Sequence, residues 1–207
     1  NEAIANGTDA LAIGDTSVAT GPSTTAVGGE SVANGPGTTA LGWQANAAAP
    51  FSNALGHQST ANGEQAIAIG EDSTANGIGS IAIGGNNDAD GDGVPDQGQG
   101  ATTDGADAIA MGAGASATGP STTSIGGEAV TNGPGSTTIG WQSAATAERA
   151  QAFGHLATAQ GERSLAVGEN ADAQSDLSTA IGNEAIANGT DALAIGDTSV
   201  ATGPSTT

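Results

Sequence analysis

Residues 57–70 read HQSTANG-EQAIAIG, two seven-residue halves of one pattern. In the first half Ser59 and Ala61 alternate with Thr60 and Asn62. In the second, Ala66 and Ala68 alternate with Ile67 and Ile69. A period of two is the period of a strand, and Gly after each short run marks a turn. Two short strands and two tight turns in 14 residues describe one coil of a flattened solenoid. A helical coiled coil is excluded by the same residues. Gly at nearly every seventh position would cost a helix about 1 kcal/mol each relative to Ala. Apolar a and d positions with charged flanks are also missing.

The unit recurs along the whole chain. Gly stands at every fourteenth residue from Gly14 to Gly196, and counting each unit so that this Gly is position 14 aligns the rest. Position 3 is Ala or Ser except at Asn87, and position 5 is Ala except at Thr103 and Thr131. Position 12 is mostly Ala. Position 13 is bulky and apolar except at Gln97: Ile13, Val27, Leu41, Leu55, Ile69, Ile83, Met111, Ile125, Ile139, Phe153, Val167, Ile181 and Ile195. Residues 1–25 recur unchanged at 183–207, and 21–44 recur with few changes at 119–142. Self-similarity at a fixed period is the mark of a repeat architecture.

That register overrules the composition. Leu, Ile, Val and Phe make up 29 of 207 residues, and the net charge is −20 with only two Lys or Arg. A bulky apolar share below about 20% with high charge ordinarily means disorder, but a disordered chain needs no 14-residue register. With Cys absent, disulfides and Cys-ligated zinc are excluded. The acidic balance argues against nucleic acid as a partner, since nothing would neutralise phosphates. No apolar run approaches the roughly 18 residues of a membrane span, so direct membrane insertion by these residues is not expected. The fold class expected is all-β, a β-solenoid or parallel β-roll of 14-residue rungs.

Side chains alternate across a strand. If positions 3, 5, 10 and 12 point inward, the roll is lined by Ala, Ser and Thr. Positions 11 and 13 then face outward, and position 13 forms a continuous aliphatic stripe that needs a partner surface. Identical chains around an axis supply one, so the expected partner is the chain itself, with the position-13 residues at the interface. The alternative places Ile, Leu and Val inside the roll and makes a monomer.

The run SxAxGxx[AS]xAIG appears as STANGEQAIAIG (59–70), STANGIGSIAIG (73–84) and ATAQGERSLAVG (157–168). It resembles the head repeats of trimeric autotransporter adhesins, the YadA-like heads. The resemblance implies a left-handed parallel β-roll assembled as a homotrimer. It further implies an extracellular fibre anchored in a bacterial outer membrane, attaching to host matrix, other cells or surfaces. A segment of a longer fibre is expected: head repeats over 1–84, an irregular acidic rung at 85–98, head repeats over 99–182, and the start of a further block at 183–207 without caps. The receptor or substratum is not encoded in any spacing rule.

Other function classes fit less well. With neither Cys nor Lys, and with two His in equivalent ladder positions, no nucleophile, base and orienter assemble, so an enzyme is not expected. An ice-binding solenoid would need an unbroken Thr ladder, and position 11 runs Leu, Thr, Thr, Asn, Ile, Ile, Pro over the first seven units. A spacer with no binding role remains an alternative.

Two features stand out from the repeat. The only Trp and His residues fall at position 1 of adjacent units, Trp43 before His57 and Trp141 before His155. Each pair should lie within stacking distance, either as an exposed patch for a sugar or partner, or as packing over a local defect. Residues 85–98 keep the unit length but break its pattern. Asp88, Asp90, Asp92, Gly93 and Asp96 form D-x-D-x-D-G-x-x-D. Oxygen ligands at that spacing suit Ca²⁺, with Gly permitting the sharp turn. The segment resembles EF-hand-like and thrombospondin type 3 loops, although Gln99 stands where an EF-hand has its bidentate Glu. The alternative is a solvated acidic bulge. Glu148–Arg149 and Glu162–Arg163 are expected as surface ion pairs of little energetic weight.

Overall fold

Each pair of strands closes one turn of a roll, and turns stack with parallel pairing. The computed structural model describes residues 2–88 and 90–207. Among these the chain is all-β, in strands of two or three residues, with no helix. It divides into two compact units, Asn1–Gly114 and Ala115–Thr207.

In the first unit one sheet collects the strands at positions 4–6, from Ile4–Asn6 to Thr102–Thr103. The other collects the strands at positions 11–13, from Leu11–Ile13 to Ile109–Met111. Pairing is parallel with a 14-residue offset, as in Ile67 with Asn53 on one side and Ile81 on the other. The second unit repeats this from Ser116–Ala117 to Val200–Ala201 and from Thr123–Ile125 to Leu193–Ile195.

The interior is what strand parity dictates. Ala61, Ala66, Ala68, Ala75 and their equivalents in the inner turns of the roll are buried, whereas Ala5, Ala10 and Ala12 of the first turn are not, and the largest fully buried side chains are Thr and Ser. No Ile, Leu, Val or Phe is among the buried residues, so the alternative with bulky residues inside the roll is excluded. Each buried methyl contributes about 1 kcal/mol. The parallel backbone ladders, repeated at every turn, carry the remaining cohesion.

Inward hydroxyls have a specific task. A turn leaves carbonyls without strand partners, and buried carbonyls must be satisfied. Ser59 Oγ donates to the Gly56 carbonyl at 3.0 Å, and Ser73 Oγ to that of Gly70 at 2.9 Å. Thr24 and Ser52 do the same for Gly21 and Ala49 at the opposite turn. Exceptions to Ala at position 5 are paired too: Thr103 donates to Ser80 at 2.9 Å, and Thr131 lies 2.5 Å from Thr138, which donates to Ser124.

Turns place residues such as Gln58 and Gln65 in the left-handed region, at φ 56° and 60°. That conformation costs a non-Gly residue roughly 1–2 kcal/mol. Hydrogen bonds between turns offset it, with Gln58 N–H donating to the Trp43 carbonyl at 2.9 Å and Gln65 N–H to that of Pro50 at 3.0 Å. Position 14 is stricter. Gly70 sits at φ 120°, and a Cβ there would lie 2.7 Å from backbone atoms of Gly84.

The acidic segment departs from expectation. Thr74 pairs with Thr102 and Ile83 with Met111, so both ladders advance by 28 residues and pass over 85–98. The described residues of this stretch form no strand. It is therefore an excursion from the roll and not an irregular rung. Pro95 lacks an N–H, and Asp88, Asp90 and Asp92 cannot be packed beside an Ala interior without desolvating carboxylates.

Candidate functional site

Three surface features carry the candidate residues. The first is the aliphatic stripe. Strand parity turns position 13 outward, and pairing lines it up within each unit: Ile13, Val27, Leu41, Leu55, Ile69, Ile83 and Met111, then Ile125, Ile139, Phe153, Val167, Ile181 and Ile195. Exposure is 45% at Leu41 and 44% at Ile139, and it is higher still at Ile13 and Ile195 in the end turns. Position 11 adds Ile67, Ile81 and Ile109 in the first unit and Leu165 and Leu193 in the second, all half-buried. The position-13 row is apolar along each unit, whereas position 11 carries Thr, Asn or Gln at Thr25, Thr39, Asn53, Thr123, Thr137, Gln151 and Thr179.

The second feature lies on the turn between position 14 and position 3. Trp43 and His57 stack with ring centroids 4.9 Å apart and planes at 17°. His57 Nδ1 lies 3.0 Å from Glu71 Oε1, so one ladder runs Trp43, His57, Glu71. The second unit repeats it: Trp141 and His155 stack at 4.9 Å and 20°, and His155 lies 3.3 Å from Glu169. Trp43 and Trp141 remain 44% and 46% exposed.

A second row beside this ladder was not anticipated from the sequence. Gln44 Nε2 donates to Glu30 Oε2 at 2.7 Å, and Gln58 Nε2 donates to Gln44 Oε1 at 3.0 Å. Gln142 donates to Glu128 at 2.6 Å in the second unit. The signal was a Glu or Gln recurring at position 2 with a spacing of 14. Both arginines lie at position 9, on the opposite turn, each against its neighbouring carboxylate, Glu148 at 3.2 Å and Glu162 at 3.4 Å. All four side chains are about half exposed, so these pairs add little to stability.

The third feature is the acidic excursion. Asp88, Asp90 and Asp92 bring one carboxylate oxygen each to within 4.8 Å of one another. Local hydrogen bonds shape the loop: Asp92 N–H donates to Asp88 at 3.0 Å and Asp90 at 3.1 Å, and Gly93 N–H donates to Asp88 at 2.8 Å. Asp96 does not join the three; its N–H donates to the Asn87 carbonyl at 2.7 Å. Asp104, at the first turn after the excursion, accepts from Asn76 Nδ2 at 2.7 Å. Asp72 clamps the loop's two ends, accepting from Asn86 Nδ2 at 2.8 Å and Gly98 N–H at 2.9 Å.

A family model described as "YadA head domain repeat (2 copies)" matches residues 5–31, 33–61, 52–73, 61–87, 75–93, 97–115, 117–143, 145–171, 159–185, 173–199 and 187–207. No curated protein matches the chain.

Proposed function

The chain belongs to the YadA head repeat family, and from that premise we propose that it is a structural and adhesive segment of a long homotrimeric fibre on a bacterial surface. Family membership implies a surface role of the trimeric autotransporter adhesin kind. The observation that carries the finer reading is the outward stripe. A roll whose interior accepts only Ala, Ser and Thr has nowhere else to bury its Ile, Leu and Val. Stacking three chains on that face removes the stripe from water, and a three-fold axis gives a closed assembly. The fibre is extracellular and outer-membrane-anchored in this reading, and it attaches to cells, matrix or surfaces. No catalytic role is assigned. The test is the mass in solution, expected at three times the 19.4 kDa chain; a clean monomer overturns the assembly.

A second proposal concerns the excursion. Three carboxylates converge there with no cationic side chain in the segment, and hard oxygen donors at this spacing fit Ca²⁺. Asp88, Asp90 and Asp92 would hold the ion, with Asp96 outside the set. The ion would neutralise the repulsion among the three.

A further inference from the structure

We infer that Trp43 and Trp141 bind a second copy of this chain. Each indole N–H is donated to a side-chain amide oxygen of the neighbouring chain, Trp43 to Asn53 and Trp141 to Gln151. The inference rests on the homotrimer proposed above and names the polar contacts that fix its register.

The position-13 stripe sets no register by itself. Its residues are nearly all Ile, Leu or Val, so sliding one chain past another by one step of ~4.8 Å exchanges one aliphatic contact for another. The stripe has two borders. Position 11 lies on one side along the strand, and position 1 lies on the other, across the turn. A closed ring of identical chains is built from heterologous contacts, so one border of each chain meets the opposite border of the next. Rotation about an axis parallel to the stack adds no rise, so the two borders meet turn for turn.

One turn in each unit carries a tryptophan at position 1, and that same turn carries the unit's one amide at position 11: Trp43 with Asn53, and Trp141 with Gln151. The two groups are complementary. Among the described residues neither indole N–H has an acceptor within the chain. Asn53 Nδ2 donates to the Phe51 carbonyl at 3.2 Å, which leaves its Oδ1 without a donor. Gln151 makes no side-chain hydrogen bond among the described residues, and both amides are half-buried on the stripe's own face. An unpaired amide or indole N–H enclosed in an apolar interface destabilises it, and pairing the two removes both costs. One donor and one acceptor per chain close a ring of three bonds at each level.

Neighbouring turns hold the donor in place. His57 stacks on Trp43 and is itself held by Glu71. Gly29 lies against the indole, where a Cβ would come within 3.2 Å of Cδ1 and 3.7 Å of Nε1. His155 and Glu169 hold Trp141 in the same way. An indole fixed beforehand loses little freedom on pairing. The two levels also differ together: Asn53 stands beside Leu55, and Gln151 beside Phe153. The bulkier stripe residue accompanies the longer amide, as a wider gap between chains requires. A slip of one step would set Trp43 against Thr39 or Ile67 and part the bonded groups, so a polar pair in an apolar interface specifies register.

A double-mutant cycle on trimer dissociation, followed by light scattering across a dilution series, decides the matter. W43F/W141F keeps both rings and removes the donors, and N53L/Q151L removes the acceptors at similar volume. Each should move dissociation to concentrations about tenfold higher or more, with an unchanged far-UV circular dichroism spectrum. The combined variant should be weaker than either by no more than about threefold, because both pairs of substitutions delete the same bonds. In the ¹⁵N-labelled trimer, N53L/Q151L should shift both indole N–H resonances upfield. In the I69D/I83D background, where the chains are apart, the same substitution should leave them in place. Additive losses, or indole resonances that N53L/Q151L does not move in the trimer, overturn this inference and leave the trimer standing. A monomeric parent chain overturns both.

Discussion

Ile83 pairs with Met111, 28 residues ahead, and the residue 14 ahead, Gln97, stays out of the ladder. The turn closes as though the intervening unit were absent. Ala101 N–H donates to the Gly84 carbonyl at 3.1 Å, the same bond that Ser59 makes to Gly56 and Ser73 to Gly70. A whole unit is thus spliced out of the roll and held at its base by Asp72.

Removing residues 85–98 should leave the roll intact. The expected result is an unchanged far-UV spectrum and a melting temperature within about 5 °C of the parent, since loop closure contributes little at this length. Loss of cooperative melting would show that the excursion is part of the fold.

For the acidic loop, titration calorimetry with CaCl₂ should reveal one site per chain that disappears in the D90A/D92A variant. Unchanged heat in that variant would reduce the loop to a solvated acidic bulge. The 85–98 deletion should also lack the site while keeping the roll.

Gly70→Ala places a Cβ at φ 120° and 2.7 Å from the stacked backbone of Gly84. A loss of about 2–4 kcal/mol is expected from strain and the displaced turn. Chemical denaturation would measure it, and a loss below about 1 kcal/mol would mean that the turns are not stacked this closely.

Ala68 and Ile67 are neighbours on opposite faces. Ala68→Leu overpacks an interior with no room between its walls and should cost about 3 kcal/mol. Ile67→Thr copies the residue already found at Thr25 and Thr39 and should cost less than about 1 kcal/mol in the roll itself. Reversed sensitivities would invert the inside and outside of the strands.

Light scattering of the I69D/I83D variant tests the stripe. Two carboxylates on an apolar interface should dissociate the trimer to a 19.4 kDa species, because each would be buried without a partner. Retention of the trimer would place the interface on another face.

Much of this was legible in one chain of residues. A constant 14-residue unit defines the register of a parallel ladder, because each strand stacks on the copy one unit away. Side-chain direction then follows from parity, so Ala68 is inside and Ile69 outside before any coordinate is known. The stacking of Trp43 on His57, and of Trp141 on His155, follows from the same counting.

Other features were decided only in three dimensions. Counting could not reveal that 85–98 leaves the roll, because omitting one whole unit preserves the register of everything after it. Nor could spacing separate Asp96 from Asp88, Asp90 and Asp92, since a loop outside the ladder has no fixed rise per residue. The row of Glu30, Gln44 and Gln58, and the hydroxyls of Ser59 and Thr24 on turn carbonyls, depend on side-chain rotamers. Period and parity set where a Cβ points, and tertiary packing decides which partner its polar end finds.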